Sequence, residues 1–251
     1  MELCKGSLRE VLSENTVMTE TQRRTIMRQC FTGLAYMHGL RIMHRDLKPD
    51  NLLIGYDGVL KICDLGLARF KVAEAAKALY TPFIGTVNYG SPETLLGCTD
   101  YDESSDMWSA GCIMAELYTN TILFKGSTIL GVLNSMFRIC GSITNGTIPG
   151  IESSKNFYLI ENLPQYRVST LSIHLRTCIA STLACVLIER LLRHIKTQRL
   201  TAEQALNDLY FTSNQSKDVN LSDLLQEQYD LDIFQINRHE FNPFTSTKVF
   251  R

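Results

Sequence analysis

The sequence predicts a mainly α-helical protein carrying one small β-hairpin, and three features predict it. Apolar residues recur at helical spacing behind two Thr-x-x-Gln capping boxes. The run from Asp106 to Tyr118 is apolar on nearly every side, as a helix at the centre of a domain must be. One pair of short apolar runs flanks a glycine turn.

In chain order, Thr19-Glu20-Thr21-Gln22 opens the first predicted helix; Ile26, Cys30, Leu34 and Met37 form its apolar stripe and Gly39 ends it. Leu52-Leu53-Ile54 and Leu60-Lys61-Ile62-Cys63, on either side of Gly55-Tyr56-Asp57-Gly58, read as the hairpin. Residues 66 to 100 hold no sustained period and read as a long surface segment, the kind that is functional or disordered in compact domains. After Asp106 to Tyr118, a second amphipathic helix spans Ser127 to Cys140. Residues 141 to 176 are weakly patterned and read as loops with short helices. The apolar window from Cys178 to Leu192 reads as a buried helix, too short and too charged to span a bilayer. Thr201-x-x-Gln204 opens a last helix through Leu209, beyond which the chain turns polar.

A chain of 251 residues buries a real core. A formal charge of -1 gives no global electrostatic reason to expect nucleic acid or an anionic membrane as partner. The eight cysteines are scattered, with no C-x-x-C pair, and read as reduced thiols of a cytoplasmic or nuclear protein. The first ten residues are charged and lack the apolar stretch of a signal peptide.

The chemistry concentrates between residues 44 and 93. His44-Arg45-Asp46-Leu47-Lys48-Pro49-Asp50-Asn51 matches the catalytic-loop signature H-R-D-L-x-x-x-N in full. Phosphoryl transfer needs an Asp that takes or orients the proton of the attacking hydroxyl, and an Asn nearby that holds Mg²⁺ at the phosphates. One short loop that delivers both fixes their separation. Asp64-Leu65-Gly66 follows the second hairpin strand and offers a carboxylate suited to that hard ion. Ser91-Pro92-Glu93 is a variant of the A-P-E triplet. A lone Asp-Leu-Gly is an ordinary turn and a lone Ser-Pro-Glu is weaker still. The eight-residue match, followed in order by the hairpin, Asp64 and Glu93, outweighs that bland reading.

On these motifs the chain resembles the protein kinases from Met1 to Phe211, and among them the cyclin-dependent and related Ser/Thr kinases. Asp64-Leu65-Gly66-Leu67-Ala68-Arg69 resembles their D-F-G-L-A-R, residues 106 to 116 their D-I-W-S-x-G-C-I-x-A-E, and Leu123-Phe124-Lys125-Gly126 their L-F-x-G. The resemblance implies a kinase that uses ATP and Mg²⁺ on protein Ser/Thr hydroxyls, with a cyclin-like regulatory protein as a candidate partner. It implies Asp46 as catalytic base, Lys48 as neutraliser of the transferring group and Thr86 as the substrate-loop threonine. Asn51 and Asp64 are implied to hold Mg²⁺, and Leu53 to lie under the adenine. Thr81, twelve residues before Glu93, falls where an activating phosphothreonine would pair with Arg45 and Arg69; a solvated loop threonine is the equal alternative. Glu93 with Arg199, and Asp106, match structural supports of the family.

Some positions depart from the pattern. Leu65 replaces Phe, Gly90 replaces an Arg tied to Ser/Thr-Pro preference, and Ile195-Lys196 replaces an Asp-Pro pair. Met1-Glu2-Leu3-Cys4 resembles the last small-lobe strand and the hinge, so Glu2 and Cys4 are expected to offer the backbone groups that meet adenine. The fold expected is therefore a protein-kinase-like C-terminal lobe with a small β-hairpin and the N-terminal β-rich lobe absent. Residues 1–211 form that lobe from the hinge onward, and 212–251 a polar tail expected to be partly disordered. A kinase that is truncated, and weak or inactive as this chain, is the leading expectation; a non-catalytic, pseudokinase-like binding or scaffold protein is the alternative.

Overall fold

The computed structural model describes residues 3–71, 85–144, 148, 150–213 and 217–225. Met1, Glu2, Thr81 and the tail from 226 to 251 lie outside the described residues.

The chain enters through a short strand β1 (Cys4–Ser7) and turns at once into α1 (Leu8–Ser13). Ser7 starts that helix with a complete capping box: its hydroxyl accepts from the Glu10 N–H, and Glu10 accepts from the Ser7 N–H at 2.7 Å. This Ser7-x-x-Glu10 box is as legible as the other two, but the helix is too short to show an apolar period. Helix α2 (Glu20–Gly39) follows its Thr19–Gln22 box as predicted, and Ile26, Cys30 and Leu34 are fully buried.

Strand β2 (Ile42–Met43) leads into the catalytic-loop sequence, and β3 (Leu52–Gly55) and β4 (Leu60–Ile62) form the predicted hairpin. Its register pairs Leu52 with Ile62 and Ile54 with Leu60. Strand β1 adds to the free edge of β3, giving a three-stranded antiparallel sheet in the order β1-β3-β4. A second ribbon pairs β2 with β5 (Arg69–Phe70). This ribbon clamps the loop after Asp64 to the strand before His44. It emerges from a segment that shows no alternation, because two residues per strand are too few for a period to register.

The rest is helical. A single turn α3 (Pro92–Leu95) precedes α4 (Ser104–Thr119), which is buried continuously from Ser105 to Leu117 and forms the centre of the core. Around it pack α5 (Ile129–Cys140), α6 (Leu171–Cys178) and α7 (Thr182–Leu191). Gly111 of α4 faces α7, where a Cβ would stand 2.9 Å from that of Leu191.

The apolar window from Cys178 to Leu192 is not one helix. It breaks at Ile179-Ala180-Ser181: Ser181 caps α7 by accepting from the Ala184 N–H, and Cys178 is exposed at the end of α6. The last predicted helix divides likewise, into α8 (Ala202–Leu206) and α9 (Leu209–Thr212), because Asp208 accepts from the Tyr210 N–H and starts a new cap. The described part of the polar C-terminal segment, 217–225, packs on the body. Leu221, Leu224 and Leu225 are buried, and the Leu221 N–H donates to the Gly58 carbonyl at 3.0 Å. All eight cysteines are free. No helix among the described residues is long and apolar enough to cross a membrane.

Candidate active site

A buried carboxylate fixes the loop that carries the chemistry. Asp106, at the start of α4, accepts from the backbone N–H groups of His44 and Arg45, each at 2.9 Å, and from His38 Nε2 at 3.0 Å. Burial pushes its carboxyl upward, but the hydrogen bond and charge of His38 and the two backbone donors prevail and hold it below its usual range. These bonds hold Arg45 in the left-handed region at φ 72°, a conformation costly for a β-carbon residue.

His44 joins that loop to the Asp64 turn. It is fully buried, its Nε2 lies 2.9 Å from the Cys63 carbonyl, and its Nδ1 accepts from the Asp46 N–H at 3.2 Å. The neutral tautomer with the proton on Nε2 satisfies both bonds.

Asp46 lies at the centre of a polar cluster. Its Oδ2 accepts from Lys48 Nζ at 2.8 Å and its Oδ1 from the Thr86 N–H at 3.0 Å. Lys48 Nζ also donates to Thr86 Oγ1 at 3.1 Å. Gly85 allows this approach: its φ is +143°, and a Cβ would meet Asp46 Oδ1 at 3.0 Å. Asn51 is buried and donates through Nδ2 to the Asp46 carbonyl at 2.8 Å, which leaves its Oδ1 as the atom that faces a ligand. The Cys63 N–H donates to the Asn51 carbonyl at 3.0 Å, so Asp64 is held beside Asn51. Asp64 itself is exposed and left-handed (φ 61°), and among the described residues the Gly66 N–H donates to it, at 3.3 Å.

Five of the predicted residues, Asp46, Lys48, Asn51, Asp64 and Thr86, are therefore brought together. Leu53 lies half-buried in the middle strand of the sheet, with Cys4 on the adjoining strand. Arg69 lies on the β2–β5 ribbon, where it pairs with Met43, two residues before Arg45. Arg45 stacks over the Tyr101 ring at 5.5 Å, and Arg69 donates to the Ala68 carbonyl at 2.7 Å. Glu2 and Thr81 fall outside the described residues, so neither the adenine contact of the first nor the modification of the second has a place in this geometry.

Two supports complete the site. Glu93 and Arg199 form a buried bidentate pair, both contacts at 2.6 Å, with the guanidinium 5.1 Å above the Trp108 ring. The other support was not anticipated. Arg9 of α1 donates to Glu116 of α4 at 2.8 Å and to the Tyr89 hydroxyl, while Tyr89 donates to the second Glu116 oxygen at 2.5 Å. Tyr89 closes the turn that begins at Thr86. No local pattern announces Arg9, because its partners lie 80 and 107 residues away.

These carboxylates set an acid limit on stability. Burial raises the Glu93 carboxyl, but Arg199 overrides it and holds it below its ordinary value, as the partners of Asp106 do. A folded pKa below the unfolded one gives stability that is present above the unfolded value and lost as pH falls through the folded one. The carboxylate contribution to the thermal midpoint is therefore expected to be constant above about pH 5 and to fall steeply below about pH 4, the ordinary carboxylate range. His194, lowered first by burial against Trp108, adds a shallower loss beginning below about pH 6.5. A midpoint that is level through pH 3 would contradict this.

Helical body, small sheet, and an Asp–Lys–Thr cluster beside an Asn–Asp pair make up the candidate site. The protein kinase domain model matches residues 1–211, and the chain belongs to that family. Its relatives are cyclin-dependent kinases. It is 36% identical over 216 residues to cyclin-dependent kinase 9 of Danio rerio, covering 85% of this chain and 58% of that protein. It is 37% identical to cyclin-dependent kinase 9-A of Xenopus laevis, covering 85% of this chain and 57% of that one. The chain thus spans less than two thirds of the length of these relatives. A crystal structure of the yeast RNA Pol II CTD kinase CTDK-1 complex superposes with a TM-score of 0.81 at 33% identity, covering 88% of this chain and 72% of that one.

Proposed function

We propose that this chain carries the substrate-side apparatus of a cyclin-dependent-type Ser/Thr protein kinase, transferring the γ-phosphoryl group of ATP to protein hydroxyls. The observation that carries the proposal is the division of the Asp46 carboxylate between Lys48 and the Thr86 N–H, at 2.8 and 3.0 Å. In this reading Asp46 orients the attacking hydroxyl and takes its proton, and Lys48 offsets charge on the transferring group. Thr86 holds both in register with the substrate loop.

The donor set fits Mg²⁺. Asn51 Oδ1 and the Asp64 carboxylate are hard oxygen ligands on adjacent backbone segments. Among the described residues no cluster of three or more His, Cys, Asp or Glu side chains is arranged to hold a metal. Mg²⁺ needs none, since it binds through one or two carboxylates plus substrate phosphates. When bound, the ion supplies charge stabilisation at the phosphates. Leu53 and Cys4, with Glu2, are assigned to the adenine side.

The remaining assignments rest on the same kinship. The domain is read as 1–211, a kinase C-terminal lobe from the hinge, followed by the segment 212–251. A protein substrate and a cyclin-like regulatory partner follow from the similarity to cyclin-dependent kinases and to a CTD kinase complex. Phosphorylation of Thr81 would place a dianion for Arg45 and Arg69 to bind. A cytoplasmic or nuclear setting fits the eight free thiols.

Calorimetric titration with ATP tests the site. Mg²⁺ is expected to tighten binding at least about tenfold, the scale of one charge-assisted contact, and Asp64→Asn to abolish that enhancement while leaving metal-free binding alone. Equal enhancement in Asp64→Asn removes Asp64 from the metal site.

A further inference from the structure

Arg9 belongs to none of the catalytic motifs, yet its guanidinium meets residues of both segments that adjoin the Asp46 carboxylate. Nη1 lies 2.8 Å from Glu116, Nη2 is bonded to the Tyr89 hydroxyl, and Nε lies 3.4 Å from Asp50. Asp50 is in the catalytic loop with Asp46, and Tyr89 ends the turn whose first residue, Thr86, binds the Asp46 carboxylate. A groove of about 440 Å³ opens beside this junction, lined by Arg9, Glu116, Asn15, Asn120, Thr121 and Lys125. Through Asp50 and Tyr89 this surface adjoins the two segments that hold the Asp46 carboxylate, which places it in reach of residues flanking a hydroxyl presented to Asp46.

The guanidinium offsets one of the two negative charges here. The Glu116 side chain is 4% exposed and Asp50 48%, and both face a single guanidinium that is 29% exposed. Without Arg9 the two carboxylates would form an anionic subsite in partial desolvation, where a Lys or Arg of a substrate gains more than in water. With Arg9 in place that position is filled from inside the chain.

We propose that Arg9 is a specificity-determining residue of the peptide groove: it occupies the cation position between Glu116 and Asp50, so the groove takes segments without a basic residue there. Binding alone can test this, so the outcome is separable from the kinase reading on which it rests, which is tested by transfer.

Serine peptides differing at one position, with Arg, Gln or Glu walked along the residues flanking the serine, are titrated into the full chain by fluorescence anisotropy at low salt. The native protein is expected to bind Arg and Gln versions within about twofold. Arg9→Gln is expected to prefer the Arg version by about tenfold or more at one position, the scale of a charge-assisted hydrogen bond. Arg9→Lys restores indifference, and Arg9→Gln with Glu116→Gln loses the preference. Should Arg9→Gln alone fail to fold, Glu116→Gln is the isosteric counterpart. It removes the buried carboxylate and leaves Arg9 facing Asp50 alone, so the preference is expected to shift severalfold toward the Glu version relative to the native protein. A native preference for Arg, no change of preference in any variant, or no peptide bound by any form overturns the proposal.

Discussion

Asp46→Asn is expected to lower phosphoryl transfer by about 10²–10⁴-fold, the range assigned to a positioned acid–base group, while shifting unfolding by less than about 1 kcal/mol. Asn is isosteric and still accepts the Thr86 N–H bond, now 3.0 Å long, through its carbonyl oxygen. It loses the proton affinity and the charge that faces Lys48 Nζ. That lysine is left with Thr86 Oγ1 at 3.1 Å and with solvent, so little stability is at stake. Initial rates with ATP and a serine peptide, taken alongside thermal melts, separate the two effects. A rate within threefold of the native one (roughly 0.7 kcal/mol of barrier) removes Asp46 from the chemistry.

Arg199→Met is expected to destabilise the fold by about 3–5 kcal/mol, because it strands a charged, buried Glu93. The Arg199 side chain is wholly buried and bonds both Glu93 oxygens at 2.6 Å. It also donates to the carbonyls of Arg193, Ser104 and His194. Through this one side chain the end of the substrate loop, the start of α4 and the segment after α7 are tied together. Removing both charges, as Arg199→Met with Glu93→Gln, is expected to cost less than the single change, since no unpaired ion remains. Urea midpoints at constant m-value measure this; a single variant within 1 kcal/mol of native (roughly the worth of an exposed pair) would contradict it.

What the sequence made legible was local. The Thr19 and Thr201 boxes, the hairpin and the apolar run of α4 each rest on residues within a few positions of one another, and all appear where expected. The same holds for His44 to Asn51, where one loop carries base, lysine and amide. Periodicity failed where a polar residue competes for the backbone inside an apolar stretch. Ser181 and Asp208 are single side chains that cap a new helix, and each broke a predicted one. The ribbon between β2 and β5 was invisible for another reason, since its pairing is set by tertiary position and not by side-chain alternation. Long-range partners divided according to precedent. Asp106 and the Glu93–Arg199 pair were reachable by resemblance, whereas Arg9 with Tyr89 and Glu116 belongs to no motif and emerged only from the fold. Leu65 is 56% exposed in this structure, so the Leu at that position demands no buried aromatic pocket here.

The most direct test is transfer itself, with purified chain, γ-labelled ATP and peptides that differ only in offering Ser, Thr or Tyr. The site described here predicts Mg²⁺-dependent labelling of the Ser and Thr peptides and none of the Tyr peptide, extinguished by Asp46→Asn. Labelling that persists undiminished in Asp46→Asn, or that proceeds without a divalent cation, would contradict it.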